Sequence, residues 1–284
     1  MYLKSENIII NVDGLRFTSF QTALPQFVLD PIALTGWYDG VDVRRDITVR
    51  PTSWGDFSEG GRMAARAIAV SGTAVANTPR QLGEMRDKFV SILSDGNYKE
   101  MSLQDASGTR YAEVGLEGAP VWLRQSDTVA SWRIALYAPD PRILGGIQRV
   151  NIGTGGGEHG LQYPLVYPLN YDQSGDSKVF KTITNAGNVH SWPEFKITGN
   201  YDKGFSISDG LNREVSYSGM VTTQAPVVID MAKGTAIQNG VDKTILLKKR
   251  DWFSIPPGGS IRPVFKSTVV GTGWCDIIYR DTWI

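Results

Sequence analysis

Apolar and polar residues alternate with a period of two along much of this chain, the pattern of strands with one buried face. In RAIAVSGT (66–73), Ala67, Ala69 and Ser71 alternate with Ile68, Val70 and Gly72, which predicts a strand with unequal faces. NIIINVDG near the start is a short apolar run closed by Asp13-Gly14, and further strands are expected at 27–29, 41–49, 98–103, 110–116, 119–124 and 129–137. The last runs into APDPR, where Pro139 and Pro141 oppose extension of a central strand because proline has no N–H to donate. RPTSWGDFSEGG (50–61) breaks the alternation and reads as a turn-rich loop, long enough to be functional or mobile.

At one place the period lengthens to that of a helix. Leu82, Met85, Phe89, Ile92 and Leu93 recur at helical spacing, with Arg86, Asp87 and Lys88 mainly on the other face. Thr78 suits the N-cap, Pro79 the first helical position, and Gln81 completes a Thr-x-x-Gln capping box. Gly96 supplies a left-handed stop. The pattern predicts one amphipathic helix over about 78–95, packed on a sheet.

After APDPR the composition shifts: GGIQRVNIGTGGGEHGLQYP is rich in glycine and reads as a linker over about 145–162. Boundaries fall in such segments, so two folding units are expected, 1–148 and 149–284. The second half is almost wholly turn-punctuated strands. GFSISDGLNREVSYSG pairs two alternating runs across Asp209-Gly210, VVIDMAKGTAIQNGVDKTILL carries Lys233-Gly234 and Asn239-Gly240 turns, and IPPGGSIRPVF turns at Pro257-Gly258. In NVHSWPEFKITG, Pro193 marks a strand start, Phe195 and Ile197 face a core, and Glu194 and Lys196 share the solvent side. Regular spacing without a second helix argues for a β-sandwich or barrel.

Composition narrows the chemistry. Lys plus Arg equals Asp plus Glu at 29 each among 284 residues, so no global field draws the chain to nucleic acid or an anionic membrane. Cys275 is the only cysteine, which excludes an internal disulfide and a cysteine-rich metal site. The opening MYLKSENIII has too short an apolar run for a signal-peptide core or a membrane span, so folding in a cytoplasm and no membrane insertion are expected. Only His159 and His190 could serve a nucleophilic triad, one in the glycine-rich segment and one in a turn, and there is no G-x-S-x-G elbow. GGGEHG (155–160) matches G-x-G-x-x-G, but the prolines of LQYPLVYPLN exclude the regular helix that a dinucleotide site requires after it. No EF-hand run or closed zinc set is present, and no carboxylate pair stands out. The expectation is no enzyme, no cofactor and no metal.

Most of the eight tryptophans sit in apolar, strand-like contexts, so core packing is the default for them. Trp54 differs, being flanked by Ser53, Gly55 and Asp56 on the 50–61 loop. With Asp56 and Phe57 it forms the candidate interface, since an exposed loop aromatic usually marks contact with a partner.

Three stretches resemble the distal tail (Dit) proteins of long-tailed, siphovirus-type bacteriophages. ARAIAVSGTAVANTPRQLGEMRDKFVSIL with the later WRIALYAPDPR is similar to that family's ring domain; NAGNVHSWPEFKITG is similar to a turn-Pro-strand element of phage tail-tip proteins; and VVIDMAKGTAIQNGVDKTILLKKRDWFSIPPGGSIRPVF is similar to the family's closing strands. The resemblance implies a mainly β chain with one helix: an N-terminal belt domain and a C-terminal galectin-like β-sandwich. It further implies a structural virion protein at the distal end of the tail, a minor tail protein forming a homo-hexameric ring. That ring would join the tail tube protein to the tail-tip or baseplate hub protein, with the tape measure protein a further candidate partner and DNA only in transit through the channel. Open strand edges and the one helix of the N-terminal unit are expected to build the ring. Two alternatives are a carbohydrate-binding tail protein that attaches to the host cell wall and a tail tube subunit.

Overall fold

A computed structural model describes residues 7–58, 60–153, 181–267 and 271–284 of the chain. The backbone divides into two compact units, residues 1–145 with Ile284, and 146–283.

The first unit is a closed barrel with a helix and a projecting arm. Its strands are β1 Ile9–Val12, β2 Leu15–Thr18, β3 Gln26–Thr35, β4 Val43–Arg44, β5 Ile47–Val49, β6 Asp56–Ser58, β7 Arg62–Met63, β8 Arg66–Val75, β9 Lys99–Asp105, β10 Gly108–Leu116, β11 Val121–Arg124, β12 Val129–Ala138 and β13 Ile143–Leu144. Around the barrel the order is β12-β8-β3-β2-β1-β9-β10, and β10 returns to β12 through Gly115↔Tyr137 and Leu116↔Leu136. Every contact in this ring is antiparallel except β2–β3, which pairs Phe17 with Phe27 in parallel. The open strand edges expected of this unit are therefore mostly absent. Closure satisfies them internally, with β11 on β12 and the short β13 on β10 added outside the ring.

The alternation read from the sequence sets the barrel's interior: Ile68, Val70 and Gly72 are buried on β8, while Ala67 is exposed. Gly72 is needed there because a Cβ would lie 2.1 Å from the Val28 carbonyl oxygen and 2.6 Å from the Trp132 ring. Trp132 packs against Phe17, Phe27 and Phe89, and Phe89 brings in α1, Pro79–Val90. The helix is shorter than the expected 78–95. Thr78 Oγ1 accepts the Gln81 N–H at 3.3 Å, and Gln81 Oε1 accepts the Asn77 N–H rather than that of Thr78. Residues 91–95 form turns instead of helix. Their direction is fixed by the Leu93 N–H, which donates to Asp13 Oδ2 at 2.7 Å, while the Ile92 and Leu93 side chains remain buried.

The second unit is a two-sheet sandwich. Its strands are β14 Gln148–Gly153, β15 Ile183–Thr184, β16 Glu194–Asn200, β17 Phe205–Ser208, β18 Glu214–Tyr217, β19 Val227–Asp230, β20 Thr235–Gln238, β21 Val241–Asp242, β22 Leu247–Arg250, β23 Ser260–Ile261, β24 Val264–Ser267 and β25 Thr272–Tyr279. A six-stranded sheet, β14-β25-β16-β19-β20-β21, faces a four-stranded sheet, β22-β18-β17-β24. Phe195 and Ile197 of the first sheet and Phe205, Ile207, Tyr217 and Phe265 of the second share one core, together with the fully buried Cys275. The glycine turns lie where expected: Gly234 and the pair Asn239 and Gly240 all have positive φ, as tight hairpins require. One expectation needs correcting. Residues 148–153, assigned to the 145–162 linker, form edge strand β14 along β25, since Ile152 is an apolar anchor with no exposure at all. His159 and GGGEHG lie outside the described residues.

Candidate assembly surface

Residues 42–64 leave the barrel as a β-ribbon between β3 and β8. The sequence reading gave a strand at 41–49 and a loop at 50–61. The 41–49 stretch instead pairs back on residues beyond the turn, β5 with β6 inside the expected loop (Ile47↔Ser58, Thr48↔Phe57, Val49↔Asp56) and β4 with β7 just after it (Val43↔Met63, Arg44↔Arg62). All the residues of these four strands are exposed. At the turn, Gly55 has φ of 79° and Trp54 is 98% exposed. The structure thus brings the candidate residues together at the arm's end, with Asp56 and Phe57 on β6 directly after Trp54. Arg50 lies over the Phe57 ring, 4.7 Å from its centroid, so that ring has a cationic cover.

The root is as firmly held as the arm is free. Gly36 has φ of 81°, and a Cβ there would fall 1.9 Å from the Ala67 carbonyl oxygen. Trp37 is buried, and the Gly36 N–H donates to Asp39 at 2.7 Å. Arg66, 2% exposed, donates to four carbonyl oxygens: Gly36 at 2.6 Å, Trp37 at 3.2 Å and Asp39 at 2.9 Å from Nη1, and Pro141 at 2.9 Å from Nε. Burial lowers the guanidinium's pKa from its usual value, and the Asp39 charge opposes that shift. Nothing in the sequence signals this clamp, because an arginine opening a strand ordinarily reads as surface.

His190 Nδ1 sits 2.9 Å from Ser254 Oγ, a pairing the sequence did not suggest. Ser254 is only 5% exposed, so its hydroxyl is not presented to a substrate. Cys275 is fully buried, and burial raises its thiol pKa well above normal, which holds it in the unreactive form. Among the described residues no group of three His, Cys, Asp or Glu is placed to hold a metal ion, and no helix is long and apolar enough to cross a membrane. Glu194 stands opposite Asp230 across β16–β19, and burial, then the Asp230 charge, raises its pKa. The tryptophan expectation needs revising: Trp37 and Trp132 are core, but Trp192 and Trp274 are 38% and 42% exposed. Trp274 lies within β25 on the face opposite the buried Cys275 and Ile277, and Trp192 stands just before β16.

Residues 186–283 match the family model described as the siphovirus-type tail component, C-terminal domain. Over that stretch the second unit is similar to that tail-component family. Over its whole length the chain is similar in structure to the Dit protein of phage SPP1, described as a paradigm of the hub adsorption apparatus in phages infecting Gram-positive hosts. The TM-score is 0.63 at 12% identity, covering 99% of this chain and 100% of that one. It is also similar to a chain of the phage P2 baseplate in its calcium-activated conformation, with TM-score 0.52 and 10% identity over 97% and 98% of the two chains. The strontium form of that baseplate gives the same values. No curated protein matches the sequence. The resemblance to the distal tail family is thus shown, by the family model over 186–283 and by the fold over the whole length. The mainly β architecture is thus shared with these structures over nearly the whole chain.

Proposed function

We propose that this tail component assembles as a hexameric ring at the distal end of the tail, joining the tube to the tail-tip or baseplate hub around a channel for DNA. The observation that carries this reading is the division of labour in the first unit. A closed barrel satisfies its own strands, while an arm of wholly exposed residues is rooted in a buried clamp. Such an arm has no role within its own chain and suits repeated contact between copies. Contacts between two different surfaces of one chain close into rings when the rotation allows, and a connector on a tube must match the tube's symmetry. The galectin-like sandwich would then sit outside as an attached module. Zero net formal charge suits a channel that passes DNA without holding it, since each phosphate neutralised by a basic wall adds affinity. Purified full-length protein at high concentration should show closed six-fold rings in micrographs and a hexamer mass in light scattering. Two-fold dimers, or a lumen lined with Lys and Arg, would sink the proposal.

A second reading, glycan attachment, is favoured by the outer face of the six-stranded sheet. There Trp274 Nε1 donates to Asp276 at 3.1 Å, and Asn151 donates to the same carboxylate at 2.7 Å. A half-exposed indole beside fixed polar groups is a stacking platform for a sugar ring. Titrating host cell-wall polysaccharide while following tryptophan fluorescence separates the readings, because a connector alone gives no response.

A further inference from the structure

The arm and β11, an end strand of the barrel sheet, are complementary. On the ribbon, Ile47 and Val49 are two apart in β5 and share one face, at 56% and 73% exposure, while Phe57 lies with Thr48 on the other face under Arg50. On the barrel, Val121 and Leu123 of β11 are likewise two apart, at 55% and 64% exposure, and face away from Trp122, which packs on Phe27 and Phe89. Among the described residues β11 pairs with β12 alone, and β5 with β6 alone. Each strand therefore has a free edge, and each carries an apolar pair at the same spacing. A two-stranded ribbon is marginally stable by itself in water, and an exposed apolar edge is a template for another strand.

We propose that β5 of one copy adds to β11 of the next copy, extending its sheet as β6-β5-β11-β12 and setting Ile47 and Val49 beside Val121 and Leu123. The occupant is a second copy of this chain because the chain itself supplies both halves of the match. Its own arm does not fill the seat: the arm leaves the barrel where Arg66 pairs with Ala138, whereas β11 flanks Ala130–Arg133, the other half of β12. Donor and seat are different surfaces, so the contact repeated head to tail closes into a ring, whereas a reciprocal two-fold exchange would stop at a cross-linked dimer. This inference rests on the ring reading and specifies its contact.

The test pairs cysteines in the full-length chain, where the buried Cys275 does not compete. Ile47→Cys or Val49→Cys is combined with Val121→Cys or Leu123→Cys, and each double variant is oxidised at ring-forming concentration. The expected result is a ladder of disulfide-linked multimers in at least one combination, absent from every single-cysteine variant. The double variant Ile47→Asp, Val49→Asp should lose multimers at least tenfold in affinity, with the unfolding midpoint of the monomer unchanged because both side chains are exposed. If that variant assembles as well as the parent and no pair cross-links between chains, the strand addition is wrong and the ring reading stands. A cross-link confined to single chains shows the arm folding on its own barrel, which also overturns it. A parent that stays monomeric at every concentration overturns the ring reading and this inference together.

Discussion

At the scale of single residues, the structure ties several unremarkable letters to large effects. Gly72 sits inside β8 with the Val28 carbonyl and the Trp132 ring in the space a side chain would need. Gly72→Ala must displace backbone or indole, and overpacking of this kind costs about 1–3 kcal/mol. Denaturant unfolding of the variant should show that loss. Asp13 is a different case. Its carboxylate receives Lys99 Nζ at 2.7 Å and the Leu93 N–H, and those two bonds hold its pKa below the usual carboxylate value. Its contribution is therefore complete above the unfolded pKa of roughly 3.9 and is lost as pH falls through the lower folded value. Asp13→Asn, which keeps the left-handed turn, should destabilise at pH 7 and make less difference in acid below that folded value. A deficit of equal size at both pH values would contradict the linkage.

At the scale of elements, the helix cap and the arm show what the sequence made legible and what it hid. Thr78, Pro79 and Gln81 marked the helix start to the residue, because capping is local chemistry. Thr78→Ala should cost about 1 kcal/mol, typical of a lost N-cap bond, read as a lower unfolding midpoint. The helix end was not legible: the apolar spacing runs on through Ile92 and Leu93, and only the remote Asp13 carboxylate turns those residues away from helix. The arm was legible as composition and not as structure. Trp54, Asp56 and Phe57 were visible as a site, but period two reports a buried face, and a ribbon exposed on both faces has none. Barrel closure and the Arg66 clamp were equally silent, because both join residues far apart along the chain. The assignment of those three residues to an interface remains a proposal.

At the scale of the whole molecule, each unit carries a core of its own, Trp132 with Phe17, Phe27 and Phe89 in one, Phe195, Phe205 and Phe265 in the other. A chain ending at Gly145 should therefore unfold cooperatively by itself, with near-ultraviolet dichroism reporting the packed tryptophans. Loss of that signal would show that the first unit depends on the second. The two units also differ in how far along the chain their partners lie. In the second, β25 is central, lying between β14 and β16, yet it is made long after both. The ribosome adds roughly 5–20 residues per second, and about 80 residues separate the end of β16 from the end of β25. For some 4–16 s, β16 can hold β19 on one side while its other edge and the inward face of β14 stay bare. Throughout that interval the nascent second half is a sheet missing its middle strand, at the moment when neighbouring chains carrying the same vacancy are most abundant. Chaperone capture should thus concentrate on released chains truncated between residues 230 and 272, and fall away for chains that include Tyr279.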